Sequence, residues 1–133
     1  MSNEAHVRLE VPFHDVDILG IVWHGHYYKY FELARTALYR SCDFDIRQMR
    51  EMGYVLPVIE SQCRYVQPLQ YGQQVSVSAA FEEYLTYIKI SYTVTDAETG
   101  QRVAYGHTKQ AVCKADNSML MAVPDEVINA ILH

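Results

Sequence analysis

Residues 15–35 read DVDILGIVWHGHYYKYFELAR. Two acids, Asp15 and Asp17, stand one residue apart. Gly20 follows, then a short apolar run ending at Trp23, then His24 and His26, again one apart. From Tyr27 the spacing changes: Tyr27, Tyr30, Phe31, Ala34 and Leu38 recur every three or four residues, which is one apolar stripe of an amphipathic helix. Glu32 and Arg35 fall off that stripe, three apart, where they can pair in water. A polar loop therefore runs into the N-terminus of a half-buried helix, predicted to reach about Cys42. The first turn of a helix leaves N–H groups without partners and carries partial positive charge. A carboxylate on the approach and free donors at the helix start suit acyl chemistry, in which negative charge develops on a carbonyl oxygen.

Outward from this stretch the period is mostly two. Before it, Val7, Leu9 and Val11 alternate with Arg8 and Glu10, predicting a first strand over Val7–Phe13, with Pro12 ending its regular pairing. After it, Asp43–Met52 reads as a turn and a short helical piece stopped by Gly53. Tyr54–Tyr65 is a long strand candidate with Pro57 near its start, and Pro68 and Tyr71-Gly72 break the chain beyond it. Val75, Val77, Ala79 and Phe81 alternate with polar residues, as do Ile88, Ile90, Tyr92 and Val94. Asp96–Gly100 is a hairpin loop, Arg102–Lys114 a last long strand, and Pro124-Asp125 opens a short C-terminal helix. The order is one strand, one main helix, then about four antiparallel strands: α+β, with one helix against a curved sheet. Sheet edges in so small a chain need cover, and edge pairing between copies supplies it.

Length and composition narrow the classes. The 133 residues suit a single domain, residues 1–133. With 50% hydrophobic and 20% charged residues the chain reads as globular. A formal net charge of −5 argues against a nucleic-acid partner. No run approaches the roughly 18 apolar residues that span a bilayer, and the opening MSNEAHVRLE lacks a signal-peptide pattern. Three cysteines, Cys42, Cys63 and Cys113, form no short paired spacing. They read as free thiols in a reducing cytoplasm, neither a disulfide framework nor a zinc site. Eleven tyrosines suit interfaces and ligand grooves.

The stretch Phe13–Glu32 resembles the hot-dog-fold acyl-CoA thioesterases of the 4-hydroxybenzoyl-CoA thioesterase and Tol–Pal-associated type. Asp15, Asp17, Gly20, Ile21, Val22, Trp23, His24 and Tyr27 match that signature, and Arg64-Tyr65-Val66-Gln67-Pro68 resembles the family's strand-ending Tyr-x-x-Pro. The resemblance implies a curved antiparallel sheet of about five strands wrapped around one long central helix. It implies a homodimer or homotetramer with sites between subunits, and an acyl-CoA or acyl-carrier-protein thioester as substrate. It also implies that Asp17 is the catalytic carboxylate, as nucleophile or as general base on water, and that the backbone N–H at His24 polarises the thioester carbonyl. No cofactor and no metal are implied. Two positions depart from the pattern. Ile18 and Leu19 stand where relatives carry a small residue or Pro, and His26 stands where they carry Asn.

The candidate site is therefore Asp17 and His24 as catalytic residues, with Trp23, Gly25, His26, Glu60 and Thr86 as substrate-binding candidates. Each has a plainer reading. Asp17 is a turn-forming loop acid, Asp15 holds the loop by hydrogen bonds, Glu60 is a solvent-facing strand position, and Thr86 merely precedes a strand. The two histidines and two acids suggest a metal site, but a His-x-His pair straddling a helix start is a poor scaffold for one. The competing functions are a 3-hydroxyacyl-thioester dehydratase, with His24 or His26 and Glu60 as base and acid, and a non-catalytic acyl-thioester binder.

Overall fold

The computed structural model describes residues 4–132. The elements run β1 (Glu4–Glu10), a 3-10 turn (Phe13–Asp15), α1 (His26–Ser41), α2 (Ile46–Glu51), β2 (Tyr54–Val55) and β3 (Val58–Tyr65), then β4 (Gln74–Glu83), β5 (Ile88–Asp96), β6 (Arg102–Gln110), β7 (Cys113–Lys114) and α3 (Asp125–Ile131). Five strands form one antiparallel sheet in the order β1-β4-β5-β6-β3, and β2 pairs separately with β7. The predicted α+β class stands.

The alternation seen in the sequence becomes the two faces of this sheet. Val75, Val77 and Ala79 of β4 and Ile88, Ile90, Tyr92 and Val94 of β5 are buried on the inner face. Against them lies α1, which packs on β1, β4 and β5. All five stripe residues, Tyr27, Tyr30, Phe31, Ala34 and Leu38, are buried. The Phe31 and Tyr92 rings stack at 4.4 Å and 6°. Burying each large side chain of that stripe is worth about 1.5–3 kcal/mol, so the helix is held by its contacts with the sheet far more than by its own propensity.

The structure differs from the sequence reading at strand ends. β1 stops at Glu10 rather than Phe13, because Pro12 cannot donate and the chain enters the 3-10 turn directly after it. The long strand expected over Tyr54–Tyr65 divides at Leu56-Pro57. Pro57 offers no N–H to a ladder, although its carbonyl still accepts from the Ala111 N–H at 3.1 Å. The same corner divides Arg102–Lys114, so β2 and β7 leave the main sheet together. The expected Glu32–Arg35 pair does not form. Arg35 turns inward, and its Nη1 lies 3.4 Å from the Tyr92 hydroxyl, which also bonds Thr108 at 2.7 Å.

β3 is an edge strand, and seven of its eight residues are exposed. Both ends of this edge open onto clefts. One, of about 400 Å³, is lined by Tyr39, Met49, Tyr54, Leu56, Pro57 and Gln110 near the start of β3. The other, of about 410 Å³, lies beyond the end of β3 and holds the loop before α1.

Candidate active site

The loop between the 3-10 turn and α1 is fastened at both ends. The Trp23 N–H donates to the Asp15 carbonyl at 3.1 Å, and the Val22 N–H donates to the Leu69 carbonyl at 2.8 Å. Between these ties the chain makes a tight reversal. The Asp17 N–H donates to the Ile21 carbonyl and the Gly20 N–H to the Asp17 carbonyl, both at 2.9 Å. Gly20 sits at φ +82°, a conformation glycine adopts without cost. Asp17 reinforces the turn by accepting the Leu19 N–H on Oδ1 at 2.9 Å. Among the described residues its Oδ2 accepts no hydrogen bond, and the half-buried side chain lines the 410 Å³ cleft. The plainer reading, a turn-forming acid, and the chemical one thus hold together: one oxygen makes the turn and the other remains available.

Asp15 faces the other way and is buried. Its Oδ1 accepts from Lys29 Nζ at 2.5 Å and its Oδ2 from the Tyr30 hydroxyl at 2.6 Å. His14 Nε2 and His26 Nδ1 stand 3.6 and 3.8 Å from Oδ1. Burial pushes the Asp15 carboxyl up, but the bonds from Lys29 and Tyr30 and the charge of Lys29 outweigh it and hold the group below its usual range. Burial and the neighbouring Asp15 carboxylate drive the Tyr30 phenol far up, so it stays a donor. Asp15 therefore ties the loop to the first turns of α1, as its expected structural role requires.

The start of α1 carries no side-chain cap, and Gly25 occupies the N-cap position. Among the described residues the His24 and Gly25 N–H groups donate to no acceptor, so they are open at the positive end of the helix. His24 and Trp23 line the same cleft as Asp17. Their rings lie 5.0 Å apart, and Trp23 also meets His26 edge-on at 5.5 Å. The Trp23 indole folds over Gly25 so closely that a Cβ there would stand 2.2 Å from the ring. Any side chain at residue 25 would displace the indole.

Tyr65, at the end of β3, completes the wall. Its hydroxyl donates to the His24 carbonyl at 3.2 Å, and its ring meets Tyr27 edge-on at 4.9 Å. Burial, with Cys63 beside it, pushes its phenol up to about 12, so it remains a donor at neutral pH. Val66, Gln67 and Pro68 continue this wall.

The structure thus brings Asp17, Trp23, His24 and Gly25 together. His26 turns toward Asp15. Glu60 and Thr86 do not line the cleft. Glu60 is an exposed β3 residue bonded to His107 at 2.8 Å and 3.4 Å from Lys109, and Thr86 sits exposed in the turn between β4 and β5. Sequence reasoning missed Lys29 and Tyr30 as the anchors of Asp15, and gave Tyr65 no role. Lys29 left a trace, a cation among aromatics one turn after a loop with two acids. Among the described residues no group of three His, Cys, Asp or Glu side chains gathers as a metal site.

This arrangement has parallels. The sequence pattern of the thioesterase-like superfamily matches residues 11–131. A putative esterase of Aquifex aeolicus is 33% identical over 125 residues, covering 93% of this chain and 94% of the relative. A putative acyl-CoA thioesterase of Bacillus subtilis, YneP, is 34% identical over 77 residues, covering 58% of this chain and 56% of the relative. In fold, a mutant 4-hydroxybenzoyl-CoA thioesterase crystallised with 4-hydroxybenzoyl-CoA superposes with a TM-score of 0.85 at 17% identity, covering 98% of this chain and 99% of that one. Sequence and fold agree: the chain belongs to the thioesterase-like superfamily, as a hot-dog-fold enzyme of the thioester hydrolase class.

Proposed function

We propose that this enzyme hydrolyses an acyl-CoA or acyl-carrier-protein thioester, with Asp17 as the attacking or base carboxylate. The observation that carries this reading is the free Asp17 Oδ2 lining the same cleft as an uncapped helix start. The thioester carbonyl oxygen points at the His24 and Gly25 N–H groups, where the helix dipole and two open donors stabilise the oxyanion. Asp17 either takes a proton from an attacking water or attacks the carbonyl itself, forming an anhydride that water then opens. The C–S bond breaks and the thiolate leaves with the electron pair. Thiolate is a good leaving group, so one carboxylate suffices. Trp23 covers the helix start, and His24 and Tyr65 bound the cleft where the thioester enters.

The same proposal includes assembly into a homodimer or homotetramer of one-domain subunits (residues 1–133) in the cytoplasm. Pairing two β3 edges antiparallel sets Tyr65–Pro68 of one copy beside Leu56–Val58 of the other, which joins the cleft at one end of β3 to the cleft at the other. The exposed Val58 and Ile59 side chains support such a contact.

Free-thiol release from short, long and aromatic acyl-CoAs, measured with wild type and Asp17→Asn side by side, tests the chemistry. The variant is expected to keep its circular dichroism spectrum and to lose at least about a hundredfold in kcat. Turnover of the variant at the wild-type rate refutes the role of Asp17. Single-turnover reaction in heavy-oxygen water separates the two mechanisms, because only an anhydride intermediate leaves the label in the protein.

A further inference from the structure

The indole of Trp23 lies over the open end of α1 without a polar anchor of its own. It is half exposed, and among the described residues its ring N–H donates to no acceptor. Its orientation therefore rests on what it touches. Gly25 lies against its six-membered ring, the His24 ring stands 5.0 Å away at a tilt of 47°, and the His26 ring meets it edge-on at 5.5 Å and 80°. An edge-to-face contact is a favoured geometry between flat rings.

His26 is the fixed one of the two imidazoles. It opens α1, so its backbone is helical, and it does not line the Asp17 cleft. Its Nδ1 faces Asp15 Oδ1 at 3.8 Å. That is too long for a hydrogen bond, so it is a contact of packing and charge. The same carboxylate receives Lys29 Nζ at 2.5 Å and the Tyr30 hydroxyl at 2.6 Å, and His14 Nε2 stands 3.6 Å from it. The two histidines around Asp15 are not alike. His14 is 79% exposed in its side chain and makes no ring contact with Trp23, whereas His26 is 32% exposed and makes one.

The backbone closes a circuit through the same three residues. The Trp23 N–H donates to the Asp15 carbonyl at 3.1 Å, and the His26 N–H donates to the Trp23 carbonyl at 3.0 Å. The His26 ring then returns to the Asp15 side chain. Trp23 is thus held through its backbone by Asp15 and through its indole by His26, which itself leans on Asp15. Water over the free His24 and Gly25 N–H groups would compete with an oxyanion for them. A ring fixed there excludes that water and keeps the donors aimed.

We propose that His26 is a positioning residue for thioester hydrolysis: braced on the Asp15 carboxylate, its ring edge pins the Trp23 indole against Gly25, and the indole keeps water off the open N–H groups of the helix start. This rests on the thioesterase reading above and adds a residue that acts through Trp23 without touching substrate.

The test compares wild type with His26→Ala, His26→Phe and His14→Ala. One arm needs no substrate. An aromatic ring packed against Gly25 displaces the Gly25 Hα resonances upfield, so proton NMR reads whether the indole is held. The other arm is kcat and KM for thiol release from an acyl-CoA that wild type cleaves. His26→Ala is expected to bring the Gly25 resonances back toward ordinary glycine values while the rest of the spectrum stays folded. Its kcat falls at least about tenfold, as misaligned groups cost, and its KM stays within about twofold, because uniform binding is untouched. His26→Phe, which keeps a ring edge, restores the Gly25 shift and most of kcat. His14→Ala matches wild type in both arms. An unchanged Gly25 shift or an unchanged kcat in His26→Ala overturns the proposal. So does a rise in KM at constant kcat, which assigns His26 to substrate contact, or an equal loss in His14→Ala, which assigns the effect to the charge of Asp15. If wild type cleaves no thioester, the hydrolase reading falls, while the Gly25 shift still reads whether His26 holds the indole.

Discussion

Asp15 and Asp17 differ by two positions and by nearly everything else. One is sealed under Lys29 and Tyr30, and the other keeps an open oxygen on a cleft. The sequence distinguished them only through the family resemblance, because spacing alone treats two acids in one loop alike. What separates them is the direction of each side chain, set by the Gly20 turn and by anchors a turn into the helix. The sign of the Asp15 shift makes a prediction. Its carboxyl titrates lower in the folded protein than in the unfolded chain, so its contribution is present above the unfolded value, about pH 4, and is lost as pH falls below that. Asp15→Asn is expected to lower the melting temperature at pH 7 and to flatten its dependence on pH below about 4. Removing the acceptor altogether with Asp15→Ala, which strands the Tyr30 hydroxyl, should cost about 2 kcal/mol in urea unfolding.

At the scale of elements, α1 was legible to nearly its last residue because its stripe is periodic and fully used. All five stripe residues are buried, and each packs where the spacing placed it. Phe31→Ala removes the ring stacked on Tyr92 and is expected to destabilise by about 3–5 kcal/mol, read as a lower urea midpoint with an unchanged slope. The strands were legible in number and alternation but not in extent. The break at Leu56-Pro57 and the small β2–β7 ladder depend on where the chain turns away from its neighbour, a tertiary matter that local pattern does not carry. Likewise the inward turn of Arg35 came from a hydroxyl far along the chain, which outcompeted a nearby carboxylate in water.

At the scale of the molecule, the five-stranded sheet leaves β3 bare at one edge, with apolar side chains exposed along it. Sequence foresaw an uncovered edge but could not say which, since strand order follows from pairing rather than chain order. Under the proposed assembly, Ile59→Lys places a charge on that edge and is expected to shift light scattering toward the monomer mass while lowering kcat/KM. A variant that stays assembled with full activity would move the contact elsewhere.

Trp23 is the only tryptophan in the chain, and it lies over the helix start with the His24 and His26 rings both beside it. The molecule thus carries its own optical gauge. Every photon of indole emission originates at the mouth of the cleft, half exposed to water, so an arriving acyl group that displaces solvent there should shift the emission to the blue. Protonating either imidazole should quench it. Occupancy and proton state at the cleft can therefore be followed in real time, without a label and without turnover.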